Sequence, residues 1–435
     1  MLQPLSARFL DFFRTQSAGG VVLIIATVIA LVAANSPLAD GYHHLLETPL
    51  SIGVGDHTLN HSLHFWINDG LMVIFFFMIG LEIKREALVG ELASIRQAAL
   101  PIAGALGGMI APALIFTALN AGGAAGRGWG IPMATDIAFA LGILSLLGDR
   151  VPIALKVFLA ALAIADDLGA VLVIAIFYTG TIALAPLAIA GAGLLLALGF
   201  NRLGVRSPIP YSIVGVIIWV AFIQSGVHPT IAGVLLGFTI PVRQIYDSDR
   251  WLASVQEAIG RYRAAIGQAG LDDREEMSQR QAAVHDIENA SEKALSPLVR
   301  LEHGLQPWVA FAIMPLFALA NAGVPISGES LGSAFGSGIT WGIVLGLFIG
   351  KQLGIFGFAW LAIRAGLAAK PTGTSWSALY GAAILGGIGF TMSLFVTELA
   401  YAPHPEFAAD AKVGILVASI VAGAVGYLVL KRRLG

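Results

Sequence analysis

Cysteine is absent from the 435-residue sequence, which excludes disulfides, thiolate nucleophiles and cysteine-based metal sites. Charge is also scarce, since Asp, Glu, Lys and Arg make up 12% of the residues against roughly 25% in soluble proteins. The net charge of −2 gives no indication of a nucleic-acid partner. An ordinary soluble globular protein is therefore a poor description of this chain.

Apolar residues are in excess: they form 57% of the chain, and the mean hydropathy is +0.81. Windows of about 20 apolar residues, the length that crosses the hydrocarbon of a bilayer, predict about twelve spans. These spans lie at residues 19–34, 64–83, 97–119, 129–147, 154–178, 182–200, 210–225, 228–242, 306–323, 338–363, 376–397 and 411–430. We therefore predict an all-α integral membrane protein, with one transmembrane domain over residues 1–435 surrounded by the lipid bilayer.

The basic residues are distributed unequally between the two sides of the predicted membrane. All but three of the 25 Lys and Arg fall in the termini and loops of one side. The exceptions are Arg127 and Lys412, on the other side, and Lys351, inside the tenth span. Because basic residues accumulate in cytoplasmic loops, this asymmetry predicts that both termini are cytoplasmic.

Two connections between the predicted spans are long. In the outer segment 45–61, the stretch Thr48–Asn60 alternates around Gly53 and Gly55, which predicts a β-hairpin. This hairpin either pairs with a partner subunit or lies on its own subunit. The extended cytoplasmic loop 243–305 contains amphipathic spacing and then a polar stretch with charges of both signs, so we expect one or two surface helices and a solvated segment.

Four ionisable residues lie inside the predicted spans: Asp136, Asp166, Asp167 and Lys351. Each costs about 2.5–3.5 kcal/mol to insert and usually marks function. One Asp paired with one Lys is consistent with a structural ion pair. Three carboxylates against one lysine form a net negative cluster without structural benefit, so we expect a cation or protons to neutralise it.

Asp166 and Asp167 occupy consecutive positions of the fifth span, so their side chains point about 100° apart on a helix. Oxygen ligands suit a small hard cation, and the same oxygens bind protons. The pair therefore predicts a transient site for Na⁺ or Li⁺ at which protons compete. Such competition is sufficient for exchange of one ion for the other.

Helix-breaking residues lie in the fourth and eleventh spans. Thr135 and Asp136 follow glycines and a proline in the fourth span, whereas the eleventh contains Gly386, Gly387 and Gly389. Because these spans cross the membrane in opposite directions, the pattern predicts inverted-topology repeats with two discontinuous helices. Asp136 would then neutralise the N-termini of the half-helices. The alternative for the glycines is tight packing between intact helices.

Six motifs resemble the NhaA family of bacterial sodium/proton antiporters, and the resemblance extends over nearly the full length except most of the 243–300 segment. They are Phe77–Glu86 (FMIGLEIKRE), Met133–Phe139 (MATDIAF), Ala163–Gly169 (AIADDLG), Gly226–Gly233 (GVHPTIAG), Pro315–Gly323 (PLFALANAG) and Gly350–Gly354 (GKQLG). The cytoplasmic loop is longer here than we expect for the family.

The resemblance implies a multi-pass homodimer in the bacterial inner membrane, held partly by the outer hairpin. It implies electrogenic exchange of internal Na⁺ or Li⁺ for external H⁺, without a cofactor, for sodium and pH homeostasis. Asp167 would be the principal cation ligand, and Asp166 would pair with Lys351. Thr135 and Asp136 would lie at the helix crossing.

A charged cluster at the cytoplasmic end of the second span consists of Glu82, Lys84, Arg85 and Glu86. The resemblance implies a cytoplasmic funnel that is linked to pH activation. An interfacial cluster that only anchors the span explains the residues equally well. Two outer residues stay open as well: Asp69 is either interfacial or part of an exit path, and His228 is better explained as structural than as a pH switch.

Two other functions use similar residues. An intramembrane aspartyl protease needs two membrane aspartates on separate helices, usually in Tyr-Asp and Gly-x-Gly-Asp contexts. The membrane aspartates here follow Thr135 and Ala165, and neither context fits. A cation channel needs a continuous polar pathway, and Lys351 at mid-membrane opposes one. Transport by a non-enzymatic antiporter is therefore the leading prediction.

Overall fold

The computed structural model describes residues 3–54, 57–244, 246–266 and 272–434, which form seventeen helices and one two-stranded sheet. The helices of the first half are α1 (Gln3–Ala34), α2 (Ala39–Glu47), α3 (Leu63–Val89), α4 (Ile95–Leu119), α5 (Ile137–Ser145), α6 (Ile153–Phe177), α7 (Leu184–Arg202), α8 (Pro208–Ser225) and α9 (Thr230–Thr239). Those of the second half are α10 (Ser248–Ala265), α11 (Asp273–Ala294), α12 (Pro297–Asn321), α13 (Gly328–Gly336), α14 (Gly338–Arg364), α15 (Trp376–Leu385), α16 (Phe390–Ala400) and α17 (Ala408–Leu434).

The predicted fold class is confirmed, with differences in the regularity of the spans. Among the described residues, nine helices are long and apolar enough to cross a bilayer, and two bent pairs extend the number to eleven. In the first pair α2 turns by 112° from α1 after Pro37, so α1 alone covers the predicted first span. The predicted eighth span, 228–242, is only the 10-residue helix α9, because Pro229 precedes it and Pro241 follows it.

The two spans predicted to be discontinuous are both interrupted. A 3₁₀ helix (Ala124–Met133) precedes α5, and extended backbone at residues 134–136 separates the two. In the eleventh span α15 and α16 meet at 44° across residues 386–389. The Asp136 amide donates to the carbonyl of Ile388 (2.6 Å), and the Ser393 hydroxyl donates to the carbonyl of Ile131 (2.8 Å). The two interruptions therefore cross antiparallel, as an inverted repeat requires.

The predicted hairpin is present between α2 and α3. Strands β1 (Pro49–Val54) and β2 (His57–Ser62) pair antiparallel, with Ile52 opposite Leu59. The indole of Trp66 donates to the carbonyl of Leu50 over 2.9 Å and ties the hairpin to α3.

The 243–305 segment is more regular than predicted. Helices α10 and α11 pack as an antiparallel pair, joined by an ion pair between Arg261 and Asp286 (2.8 Å). The span predicted at 306–323 begins instead at Pro297. Ser296 caps this helix through the amide of Val299 (3.3 Å) and Pro297 occupies its first turn, so the local sequence starts the helix earlier than the apolar run indicates.

Glycines bring α4 and α14 into close contact beside the broken spans. A β-carbon built on Gly107 would lie 2.1 Å from the carbonyl oxygen of Gly354. Neither position tolerates a side chain at this separation. The close approach holds α14, and with it Lys351, against α4, which also packs against α6 with its two aspartates.

Candidate functional site

The structure brings the four ionisable residues of the spans together in the protein interior. Asp166 and Asp167 lie on α6, Lys351 is the central residue of α14, and Asp136 precedes α5. Their exposed fractions are 1%, 4%, 0% and 2%, respectively. Charges this deeply buried require partners or neutralisation.

Lys351 and Asp166 form an ion pair, with 2.6 Å between Nζ and Oδ2. The same ammonium donates to the hydroxyl of Thr135 over 2.9 Å, and this hydroxyl donates to the carbonyl of Gly386 over 2.8 Å. Gly386 ends α15. The positive charge of Lys351 is therefore linked through one hydroxyl to the negative end of a half-helix.

Asp136 caps two helices with one carboxylate. Its Oδ1 accepts from the amide of Phe139 (3.2 Å) in the first turn of α5, and its Oδ2 accepts from the amide of Thr391 (3.1 Å) in the first turn of α16. The hydroxyl of Thr391 donates to Oδ2 as well. Each helix N-terminus is equivalent to about half a positive charge. The two together balance the single charge of Asp136.

Asp167 is the carboxylate that this arrangement leaves uncompensated. Its Oδ1 has no hydrogen-bond partner among the described residues. It lines a cavity of about 30 Å³ together with Asp136, Thr391 and Glu82. That volume has room for a small cation or for one to two water molecules. Three carboxylates are thus offset by one lysine and two helix ends, and the remaining negative charge faces a space the size of a small ion.

The four predicted funnel residues have three different environments. Arg85 pairs with Glu86 on the same helix α3 (2.7 Å) and with Glu302 on α12 (2.9 Å), so this network joins the two helices. Lys84 instead donates to the carbonyls of Phe238 (2.7 Å) and Ile240 (2.6 Å), at the C-terminal end of α9. There a lysine compensates the negative helix end.

Glu82 differs from its neighbours on α3. It is 8% exposed, its Oε1 has no partner among the described residues, and it lines the cavity that Asp167 also lines. An interfacial anchor would instead place its carboxylate in water. The structure therefore places Glu82 deeper than an interfacial anchor, on the cavity lined by Asp167.

The glycines of the eleventh span combine the two interpretations left open by the sequence. The helix is interrupted at residues 386–389, and it is also tightly packed. A β-carbon on Gly387 would lie 2.4 Å from the carbonyl oxygen of Leu347, and one on Gly389 would lie 3.1 Å from that of Ala134. Glycine is needed here because another backbone approaches, and not for a left-handed conformation.

Sequence reasoning missed two features near the site. Glu302 was assigned to the cytoplasmic loop, although it lies in the first turns of α12 and is 8% exposed. Asn68 and Asn321 form a buried amide pair between α3 and α12, with one donor–acceptor distance of 2.7 Å. The sequence signal that could have indicated this pair is the presence of one asparagine within each of the two apolar runs. At the same end of α3, Asp69 lies 3.3 Å from His228.

Comparison with known proteins places the chain in a family. A family model described as Na+/H+ antiporter 1 matches residues 10–430. The chain belongs to this family. The Na(+)/H(+) antiporter NhaA of Acidithiobacillus ferrooxidans is 51% identical, with 98% of this chain and 97% of that protein covered. NhaA 2 of Syntrophotalea carbinolica is 49% identical (98% and 96% covered), and NhaA of Koribacter versatilis is 48% identical (99% and 93% covered).

The resemblance to the NhaA family is therefore confirmed over nearly the whole sequence. The family and these relatives are named as transporters and not as enzymes, which agrees with the prediction of a transporter in preference to an intramembrane protease. A multi-pass protein of the bacterial inner membrane follows from the same relatives together with the apolar helices.

Proposed function

We propose that this chain is an electrogenic antiporter that expels Na⁺ or Li⁺ in exchange for H⁺. The observation that carries the proposal is the uncompensated carboxylate of Asp167 on an ion-sized cavity. The relatives named as Na(+)/H(+) antiporters support the choice of ions. Sodium and pH homeostasis are the physiological roles that follow.

The proposed cycle uses the two carboxylates unequally. Deprotonated Asp167 binds the cation, and Asp166 contributes oxygen ligands as its ion pair with Lys351 loosens. Alternating access then exposes the loaded site to the other side, where protons displace the cation. Two carboxylates carry up to two protons but only one monovalent cation, so each cycle moves net charge. Both ions are cargo, and the cycle needs no resident cofactor.

We place both termini in the cytoplasm, because nearly all basic residues outside the spans share one side. The network of Arg85, Glu86 and Glu302 then lies at the cytoplasmic mouth, beside Glu82. A change in the ionisation of these carboxylates would alter access to Asp167. We assign pH regulation to this network.

We further propose a homodimer in which the outer hairpin contacts a second copy. Leu50 and Ile52 on β1 are 45% and 54% exposed, and a two-stranded sheet has unpaired edges. Because the chain has no cysteine, a single Ile52→Cys substitution allows a clean test. Disulfide-linked dimers in native membranes would support the contact. Failure to form them, while Leu38→Cys forms them readily, would argue against it.

Everted membrane vesicles test the transport reaction. With a pH gradient established, added Na⁺ or Li⁺ should dissipate the gradient when the wild-type protein is present. Asp167→Asn should abolish this response, whereas Asp249→Asn, an exposed carboxylate on α10, should leave it intact. Sodium flux without proton movement would indicate a channel. Absence of cation-dependent proton movement over a broad pH range would refute the proposal.

A further inference from the structure

A second concave site lies between α14 and α15, away from the buried carboxylates. Its lining is aromatic with one charge: Phe356, Gly357, Trp360, Arg364 and Trp376, around a volume of about 400 Å³. Cavities of this volume commonly hold a small molecule. None of these side chains contacts the Asp167 cavity.

The walls of this groove are held in place by ring contacts. The ring of Phe356 packs edge-on against Trp376 and Tyr380, with centroids 6.0 and 5.4 Å apart. Gly357 leaves the floor open, since a β-carbon built on it would meet no atom within 4 Å. The groove is therefore a preformed apolar slot and not a gap between mobile side chains.

Two cations border the slot without acidic partners. Arg364 lies over the ring of Trp360 (5.1 Å), and Lys370 lies over that of Trp376 (5.4 Å). Neither forms an ion pair with a described carboxylate, and residues 330–397 contain no Asp or Glu at all. The positive end of α15 at Trp376 and the negative end of α14 at Arg364 offset each other, so the two side-chain cations set the sign of the field.

The depth of these residues identifies the kind of ligand. Lys351 is the central residue of α14, and Arg364 lies about 20 Å further along the helix at 1.5 Å per residue. Half the hydrocarbon thickness is about 15 Å. Arg364 thus reaches the headgroup layer, whereas Phe356 and Gly357 remain at acyl-chain depth. An apolar slot below and two unpaired cations above match one molecule that is apolar below and anionic above.

We propose that this groove binds one anionic phospholipid, with the phosphate at Arg364 and Lys370 and an acyl chain along Gly357. The bound lipid bridges α14, which carries Lys351, to α15, the first half of a broken span. Anionic lipid should therefore stabilise the protein against heat. Arginines of an ordinary interfacial belt would attract anionic lipids without holding one lipid at a defined position.

Native mass spectrometry of the purified full-length protein with dioleoyl phosphatidylglycerol tests the binding. The Arg364→Gln and Lys370→Gln variants should each bind it about fivefold more weakly, and Gly357→Leu should block the slot. Two control variants should bind normally: Arg263→Gln, an exposed arginine of α10, and Gly191→Leu, a glycine of α7 that also meets open space. Thermal unfolding should show stabilisation by this lipid that is lost in the same variants.

Three outcomes would overturn the proposal. Equal binding of dioleoyl phosphatidylcholine would show that the site does not recognise the negative charge of the headgroup. Displacement of the lipid by glycerol phosphate at equal concentration would assign the site to a soluble anion. Unchanged binding in the Arg364→Gln/Lys370→Gln double variant would place the lipid elsewhere, and this test remains decisive even if Gly357→Leu fails to fold.

Discussion

Two groups of buried charged residues in this protein have the same composition, but their negative charge is compensated in different ways. The crossing group consists of Asp136, Asp166, Asp167 and Lys351; the mouth group consists of Glu82, Glu86, Glu302 and Arg85. Each has three carboxylates and one base. In the crossing group the backbone supplies the missing positive charge, because two helix N-termini meet at Asp136. In the mouth group Arg85 forms ion pairs with two of the carboxylates, Glu86 and Glu302.

Among the described residues, carboxylate oxygens without a hydrogen-bond partner remain on Asp166, Asp167 and Glu82. Asp166 still has Lys351 on its other oxygen, whereas Asp167 and Glu82 have no ion pair with a described residue and line the same cavity. The remaining carboxylates are held by partners, so they shape the site without being free to bind an ion. The comparison teaches that unpaired charge, more than the number of carboxylates, distinguishes the residue that we propose as the cation ligand. Four substitutions test it, from the largest expected effect to the smallest.

The largest effect is expected from Lys351→Gln. It leaves Asp166 charged, fully buried and unpaired, which costs about 3–5 kcal/mol of unfolding free energy. The double variant Lys351→Gln/Asp166→Asn should regain most of that loss, since no charge is stranded. Thermal and denaturant unfolding in detergent would measure both. A double variant as unstable as the single one would show that charge pairing is not the cause.

Asp136→Ala should be the next most damaging, at about 2–4 kcal/mol, because it uncaps two helices at once. Asp247 offers a matched control, since it caps only α10 through the amide of Arg250 (2.9 Å) and is exposed. Asp247→Ala should cost about 1 kcal/mol. Equal losses in the two variants would argue against shared capping.

Arg85→Gln should cost about 1–2 kcal/mol, less than Lys351→Gln, because its side chain is 29% exposed and water screens the stranded carboxylates. The control is Arg261→Gln, whose ion pair with Asp286 is 55% and 41% exposed and should contribute under about 0.5 kcal/mol. Unfolding measurements would rank the losses of stability in Lys351→Gln, Arg85→Gln and Arg261→Gln. A loss of stability for Arg85→Gln as large as that for Lys351→Gln would contradict the expected difference between the two groups.

The smallest effect is expected from Glu82→Gln. Removing the second negative charge at the cavity should raise the KM for Na⁺ about fivefold, while the maximal rate changes less than about twofold. Exposed Glu257→Gln should change neither. Rates in everted vesicles at several Na⁺ concentrations would decide. Loss of transport without a change in KM would assign Glu82 a different task.

The sequence predicted the elements whose cause is local. Long apolar runs located the spans, and glycines with Thr135 and Asp136 located the interruptions. Ionisable residues in apolar context identified the crossing group, and residue spacing indicated that Asp166 and Asp167 face different neighbours.

The missed features depend on contacts between distant segments. Glu302 reads as a loop residue because polar residues surround it, and only the packing of α12 against α3 buries it beside Arg85. Capping of two helices by Asp136 requires the crossing itself. The exposed slot at Gly357 is likewise invisible in sequence, because a glycine in an apolar helix is equally consistent with tight packing.

The most direct test of ion competition at Asp167 is proton release when Na⁺ is added to the purified protein in weakly buffered detergent solution. Wild-type protein should release protons as the cation displaces them, and Glu82→Gln should release nearly as many. Asp167→Asn, checked for normal thermal unfolding, should release none. Undiminished proton release from Asp167→Asn would contradict the assignment of the cation site to this carboxylate.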